Sequence, residues 1–92
     1  MGDANSLGVA AVVPTFRPPN STIDLLGDLR SMTDAVLVSD DASPATFDAL
    51  LRDLPVPVLR HERNAGIARS LNAGLAFAQD QDCPWLLTVD QD

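Results

Sequence analysis

The chain predicts an α/β fold, an open parallel sheet with flanking helices. Three observations carry that prediction. Four short apolar runs alternate with segments of helical period. No hairpin turn signal joins one run to the next, so the strands are linked by crossovers and run parallel. Polar residues gather just past runs one, two and four, and in open α/β sheets ligands bind beyond the carboxyl ends of the strands.

Each element follows from local chemistry. "MGDANSL" (1–7) is small and polar and reads as a flexible tail. "GVAAVVPTF" (8–16) is a short apolar run closed by Pro14, the mark of a buried parallel strand. "RPPNST" is a turn, with Asn20 or Ser21 placed to cap a helix over 23–32. That helix has Ile23, Leu26 and Leu29 on one face and is weakened by Gly27.

"AVLVSDDAS" (35–43) is the second strand, running into Asp40 and Asp41. Ser43 before Pro44 predicts an N-cap with proline in the first turn, opening a helix to about Leu54. "PVPVLRH" (55–61) is a shorter third strand whose prolines suit a sheet edge. "NAGIARSLNAGLAFAQDQ" (64–81) is a helix with Ile67, Leu71, Leu75 and Ala78 on one face. "WLLTV" (85–89) is the fourth strand.

Ninety-two residues make one domain at most, spanning 8–92, with a thin core. A net charge of −7 speaks against a nucleic-acid partner, which calls for a basic stripe. Twelve of the thirteen acidic residues are aspartate, a residue of loops, caps and metal shells, although most of them read as solvated surface. All six cations are arginine, which excludes Schiff-base and Walker-type chemistry, both of which need lysine. Cys83 is the one cysteine, so there is no intrachain disulfide and no cysteine zinc cluster; it reads as an inert thiol. The lone His61 reads as a structural side chain before a metal ligand. No run reaches the ~18–20 apolar residues of a membrane span, and no signal-peptide pattern opens the chain. The expected location is cytoplasmic.

Three constellations carry candidate chemistry. Asp90 and Asp92 flank Gln91, and in an extended segment residues two apart face the same side. Both carboxylates can then converge on a hard divalent cation, Mg²⁺ or Mn²⁺, whose shell a phosphorylated substrate completes. The plain alternative is a solvated acidic end. Asp40 and Asp41 can accept hydrogen bonds from the imide N–H of a base or from ribose hydroxyls, or one of them can cap the next helix. Gly66 and Gly74 each cost a helix interior ~1 kcal/mol relative to alanine. Gly66, near the helix start, lets backbone approach a diphosphate; close helix–sheet packing is the equal alternative.

Taken in order, these stretches resemble inverting family 2 glycosyltransferases of the GT-A fold. "VVPTF" resembles the family's first-strand motif and "VSDDAS" its "VDDGS". "RNAGIARSLNAGL" resembles its N-x-G…N-x-G helix and "LLTVDQD" its DXD motif. The likeness covers residues 8–92. "GIA" with "LN-x-G", and the DXD motif written "DQD", look most like bacterial rhamnosyltransferases, which use a dTDP-linked donor in cell-surface polysaccharide synthesis. Leu71 departs from the pattern, standing where many members carry a basic residue, with Arg69 two positions earlier.

The resemblance implies a sheet ordered 3-2-1-4 and a dTDP- or UDP-linked donor, with a saccharide acceptor in the full-length parent. It places Pro14, Thr15 and Asp41 at the nucleotide, Asp40 at base or ribose, and Arg17 and Gly66 near base or phosphates. Asp90 would approach the ribose or the metal, and Asp92 would hold Mg²⁺ or Mn²⁺. The family's catalytic base lies later in the chain, so the expectation is a fragment ending after the DXD motif. Such a fragment would be inactive alone and would self-associate through strand 85–89. Its parent would sit in the cytoplasm or at the inner face of the plasma membrane. The competing reading is a stand-alone nucleotide- or cation-binding module without transferase activity.

Overall fold

The computed structural model describes residues 8–91; the predicted tail and Asp92 lie outside the described residues. In chain order come β1 (Val9–Thr15), α1 (Thr22–Met32), β2 (Ala35–Asp40), α2 (Asp48–Arg52), β3 (Val58–Arg60), α3 (Ile67–Asp80) and β4 (Trp85–Thr88). The strands form one sheet in the order β3-β2-β1-β4, with every pairing parallel. Both the α/β class and the 3-2-1-4 order expected above are what is observed.

β1 and β2 are the central strands, covered on both faces, which is why they read as continuous apolar runs. Ala11 and Val13 lie opposite Val36 and Val38 in register, and these four pack against Leu26 and Leu29 of α1 and against Leu51 and Leu54. The alternate residues face α3. A Cβ added at Gly74 would lie 2.7 Å from Val12 Cγ1 and 3.2 Å from Leu86 Cδ2, so this glycine lets α3 settle onto β1 and β4. Close helix–sheet packing, the alternative weighed above for the glycines of this segment, is what Gly74 provides.

Several local expectations are corrected. The buried residues of α3 are Ser70, Gly74 and Ala78, whereas Ile67 and Leu75 are more than half exposed. The small residues face the sheet because the helix approaches too closely for Leu or Ile. Ser43 caps no helix. Pro44 is extended (φ −58°, ψ 160°), and a 3₁₀ turn at Ala45–Phe47 precedes α2, which ends at Arg52. Ser21 stands at the start of α1 but makes no side-chain cap bond. β3 is shorter than predicted, with Pro55 and Pro57 just ahead of it at the sheet edge, where a missing N–H costs nothing.

No helix among the described residues is long and apolar enough to cross a membrane. Cys83 is a free thiol, held above its ordinary pKa by desolvation first and by the Asp34 and Asp82 carboxylates second. The shift disfavours the thiolate, the nucleophilic form.

Candidate functional site

The chain builds β2 and β3 to one side of β1 and then returns to place β4 on the other. The reversal makes a crevice at the carboxyl ends of β1 and β4, the switch point where open α/β sheets bind ligands. A cleft of about 290 Å³ opens there. Pro14, Thr15 and Phe16 line it from the end of β1, Asp41 from just past β2, Gly66, Ile67 and Ser70 from the start of α3, and Asp90 and Gln91 from just past β4. A larger cavity of about 440 Å³ lies beside Arg30, Thr33, Asp34 and Phe77, at the amino end of β2, and takes no residue from the motifs.

The two aspartates after β2 have different duties. Asp40 is fully buried and accepts hydrogen bonds from Thr15 Oγ1 (2.7 Å), Ser43 N–H (2.9 Å) and Ser43 Oγ (2.7 Å). Arg60 Nε lies 3.9 Å from Asp40 Oδ2, while Arg60 Nη1 donates to Asp48 Oδ1 at 2.6 Å. A buried carboxylate needs this compensation, and it leaves Asp40 facing the turn rather than a base or ribose. Ser43, occupied here and with the Arg17 N–H (2.8 Å), is thereby removed from capping α2.

Asp41 lines the cleft and accepts the backbone N–H groups of Ala65 (2.8 Å) and Gly66 (3.2 Å). It caps the approach to α3 from another strand, satisfying donors the helix start leaves open. Gly66 sits at φ 81°, where a side chain is strained, and its N–H already goes to Asp41. Its glycine character serves that backbone conformation. The diphosphate approach expected of Gly66 therefore cannot use its N–H while Asp41 holds it.

Arg17 is not among the residues lining the cleft. Its guanidinium lies 5.4 Å from the centroid of the Phe16 ring, a cation–π distance. Asp90 is exposed on the cleft, and its carboxylate makes no hydrogen bond or ion pair among the described residues. Asp92, the other predicted metal ligand, lies outside the described residues.

Four cleft residues were missed by the motif reading: Phe16, Ile67, Ser70 and Gln91. Ser70, nearly fully buried, donates to Ser39 Oγ (3.0 Å), and Ser39 bonds His61 Nε2 (2.8 Å). That chain gives His61 a structural partner. Alternation along β2 places Ser39 on the α3 face, and this was the available signal.

Residues 10–92 match the family described as Glycosyl transferase family 2. The chain belongs to that family. Comparison with curated proteins and with solved structures gives no match. Membership makes this a glycosyltransferase-type chain, with a nucleotide-sugar donor and a saccharide acceptor as the general substrates.

Family 2 members commonly use a divalent metal. No group of three or more potential ligands is assembled among the described residues. A hard cation bound with a diphosphate needs only one or two carboxylates from protein, and Asp90, on the cleft and without a partner among the described residues, fits that donor set.

Proposed function

We propose that this chain binds the nucleotide end of a sugar donor in the cleft at the β1/β4 switch point. The observation that carries the reading is the convergence of Thr15, Phe16, Asp41 and Asp90 on one cleft from three strand ends. Asp41 has spent two of a carboxylate's roughly four lone-pair sites on Ala65 and Gly66, which leaves capacity for a base imide N–H. Phe16, 41% exposed, offers a face on which a base can stack. Pro14 shapes the floor beside them. Asp90, with Asp92, would hold Mg²⁺ or Mn²⁺; when bound, the ion neutralises charge on the departing nucleoside diphosphate. Asp40 and Arg17 are left out of this assignment because the first is enclosed and the second lies off the cleft.

The donor sugar in this reading is rhamnose on dTDP, transferred with inversion to a saccharide acceptor. The support for it is the "GIA…LN-x-G" and "DQD" wording of the motifs. Inversion needs a carboxylate base at the acceptor hydroxyl. Asp41, which holds α3, and Asp90, assigned here to the cation, are not the candidates for that base.

The test is a ¹H–¹⁵N titration with dTDP and then UDP, each with and without Mg²⁺. Metal-dependent shifts at Thr15, Asp41 and Asp90, tighter with dTDP, are the expected result. Absence of shifts at millimolar nucleotide overturns the donor-site reading, and tighter UDP binding overturns the rhamnosyl one.

We also propose self-association through β4. Its outer edge has no strand partner among the described residues, and Trp85 (65% exposed) and Leu87 (41%) sit beside Val9 as an apolar strip. Sedimentation should show mass rising with concentration; a monomer at the highest concentration removes this proposal.

A further inference from the structure

Gln91 stands between the two carboxylates of the "DQD" motif and was given no role of its own above. Its side chain makes two hydrogen bonds to a single residue, Phe16, 75 positions away. The Phe16 N–H donates to Oε1 at 3.0 Å, and Nε2 donates to the Phe16 carbonyl at 2.9 Å. A primary amide carries one acceptor and one donor group side by side, as an extended backbone residue does. Gln91 therefore acts as a side-chain rung of the β1–β4 ladder.

The rung lies where backbone pairing has run out. β4 ends at Thr88, opposite Val12, and the next bond between the two strands is the Val89 N–H to the Val12 carbonyl at 3.1 Å. Beyond it, Asp90 has no hydrogen bond among the described residues. Its place on the cleft depends on being held between Val89 and Gln91.

We infer that Gln91 is a positioning residue: by clamping Phe16 it fixes Asp90 at the cleft and orients the Phe16 backbone on the opposite wall. Only a side chain with both donor and acceptor at this reach completes the pair. Asparagine is one methylene short, and methionine keeps the length but loses both bonds. The inference rests on the cleft being a donor site only for its functional consequence; the clamp itself is a property of the free protein.

The test compares the 92-residue chain with Gln91→Met and Gln91→Asn. Without ligand, exchange of the Phe16 amide proton should accelerate by roughly three- to tenfold in both variants, about what one solvent-accessible hydrogen bond is worth. Backbone ¹⁵N relaxation should show Asp90 ordered in the wild type and mobile in the variants. With Mn²⁺ and dTDP as the probe, affinity should fall by roughly ten- to a hundredfold, the usual effect of removing a residue that orients a metal ligand. Thermal midpoints should change little, because Gln91 lies at the surface end of the sheet.

Unchanged Phe16 exchange overturns the clamp. Faster exchange with unchanged Asp90 order, or with unchanged affinity where the wild type binds, overturns the positioning role. If the wild type binds no metal-nucleotide, the donor-site reading fails instead, and Asp90 order in the ligand-free proteins decides the inference alone.

Discussion

At the end of β2, Asp40 is fully buried, with three hydrogen bonds and an arginine beside it; at the end of β4, Asp90 is exposed and, among the described residues, holds no partner. Asp40 is the last residue of β2 and Asp90 lies two residues past β4, at the same end of the same parallel sheet. The difference lies in what surrounds them. β2 is central, so its last carboxylate enters the core layer and must be compensated by groups it then holds in place. β4 is an edge strand, so its carboxylate stays in water and keeps its acceptor capacity for a ligand. A carboxylate is available to substrate in inverse proportion to its structural employment.

The largest expected effect breaks the employed side of that comparison. Asp40→Ala leaves Thr15 Oγ1, the Ser43 N–H and Arg60 without their shared acceptor. Each buried donor left unsatisfied costs about 1–3 kcal/mol, while Arg60, 38% exposed, keeps Asp48. A chain of this size has total stability of about 5–14 kcal/mol at the usual per-residue value. The variant should lose a large part of that stability, read by circular dichroism as lowered urea and thermal midpoints. A native-like spectrum with an unchanged urea midpoint would mean that Asp40 is not the keystone of the turn.

A smaller effect, of opposite sign, comes from the same turn. Ala42 has φ 62°, in the left-handed region, at the position where the "VDDGS" pattern writes glycine. An L-residue pays about 1–2 kcal/mol there, and glycine returns part of that gain through a more flexible unfolded chain. Ala42→Gly should raise stability by about 0.5–1 kcal/mol in urea titration. A loss of stability would place the Asp40 turn in another conformation in solution and weaken the contrast drawn from it.

How much of this was legible in the sequence can be judged at particular residues. The buried runs around Val12 and Val38 declared the central strands, because burial on both faces removes alternation. The prolines ahead of β3 declared an edge. The split between Asp40 and Asp41 was also available: Val36, Val38 and Asp40 share a face by the period of two, and that face is the core. The buried face of α3 was not, since Ile67, Leu71 and Leu75 also make a regular apolar stripe. Only the closeness of β1 to the helix selects Ser70 and Gly74. Gln91 was silent for a different reason. Its partner is a backbone group far away in sequence, and no local pattern announces which side chain will complete a ladder.

The smallest expected stability change falls on the exposed side of the comparison. Asp90→Asn keeps shape and removes charge at a site with no structural partner among the described residues, so the urea midpoint should move by no more than about 0.5 kcal/mol. Its effect belongs to ligand binding. Amide oxygen is a poorer donor to a hard cation than carboxylate, so the metal-dependent part of nucleotide affinity should be lost while any metal-independent part persists. The pair of readouts is what makes the variant informative. A substantial loss of stability would mean that Asp90 is employed by the fold after all, and that the free carboxylate of this cleft must be sought elsewhere. Unchanged stability with unchanged metal dependence would leave the cation to other groups and reduce Asp90 to a solvated strand end.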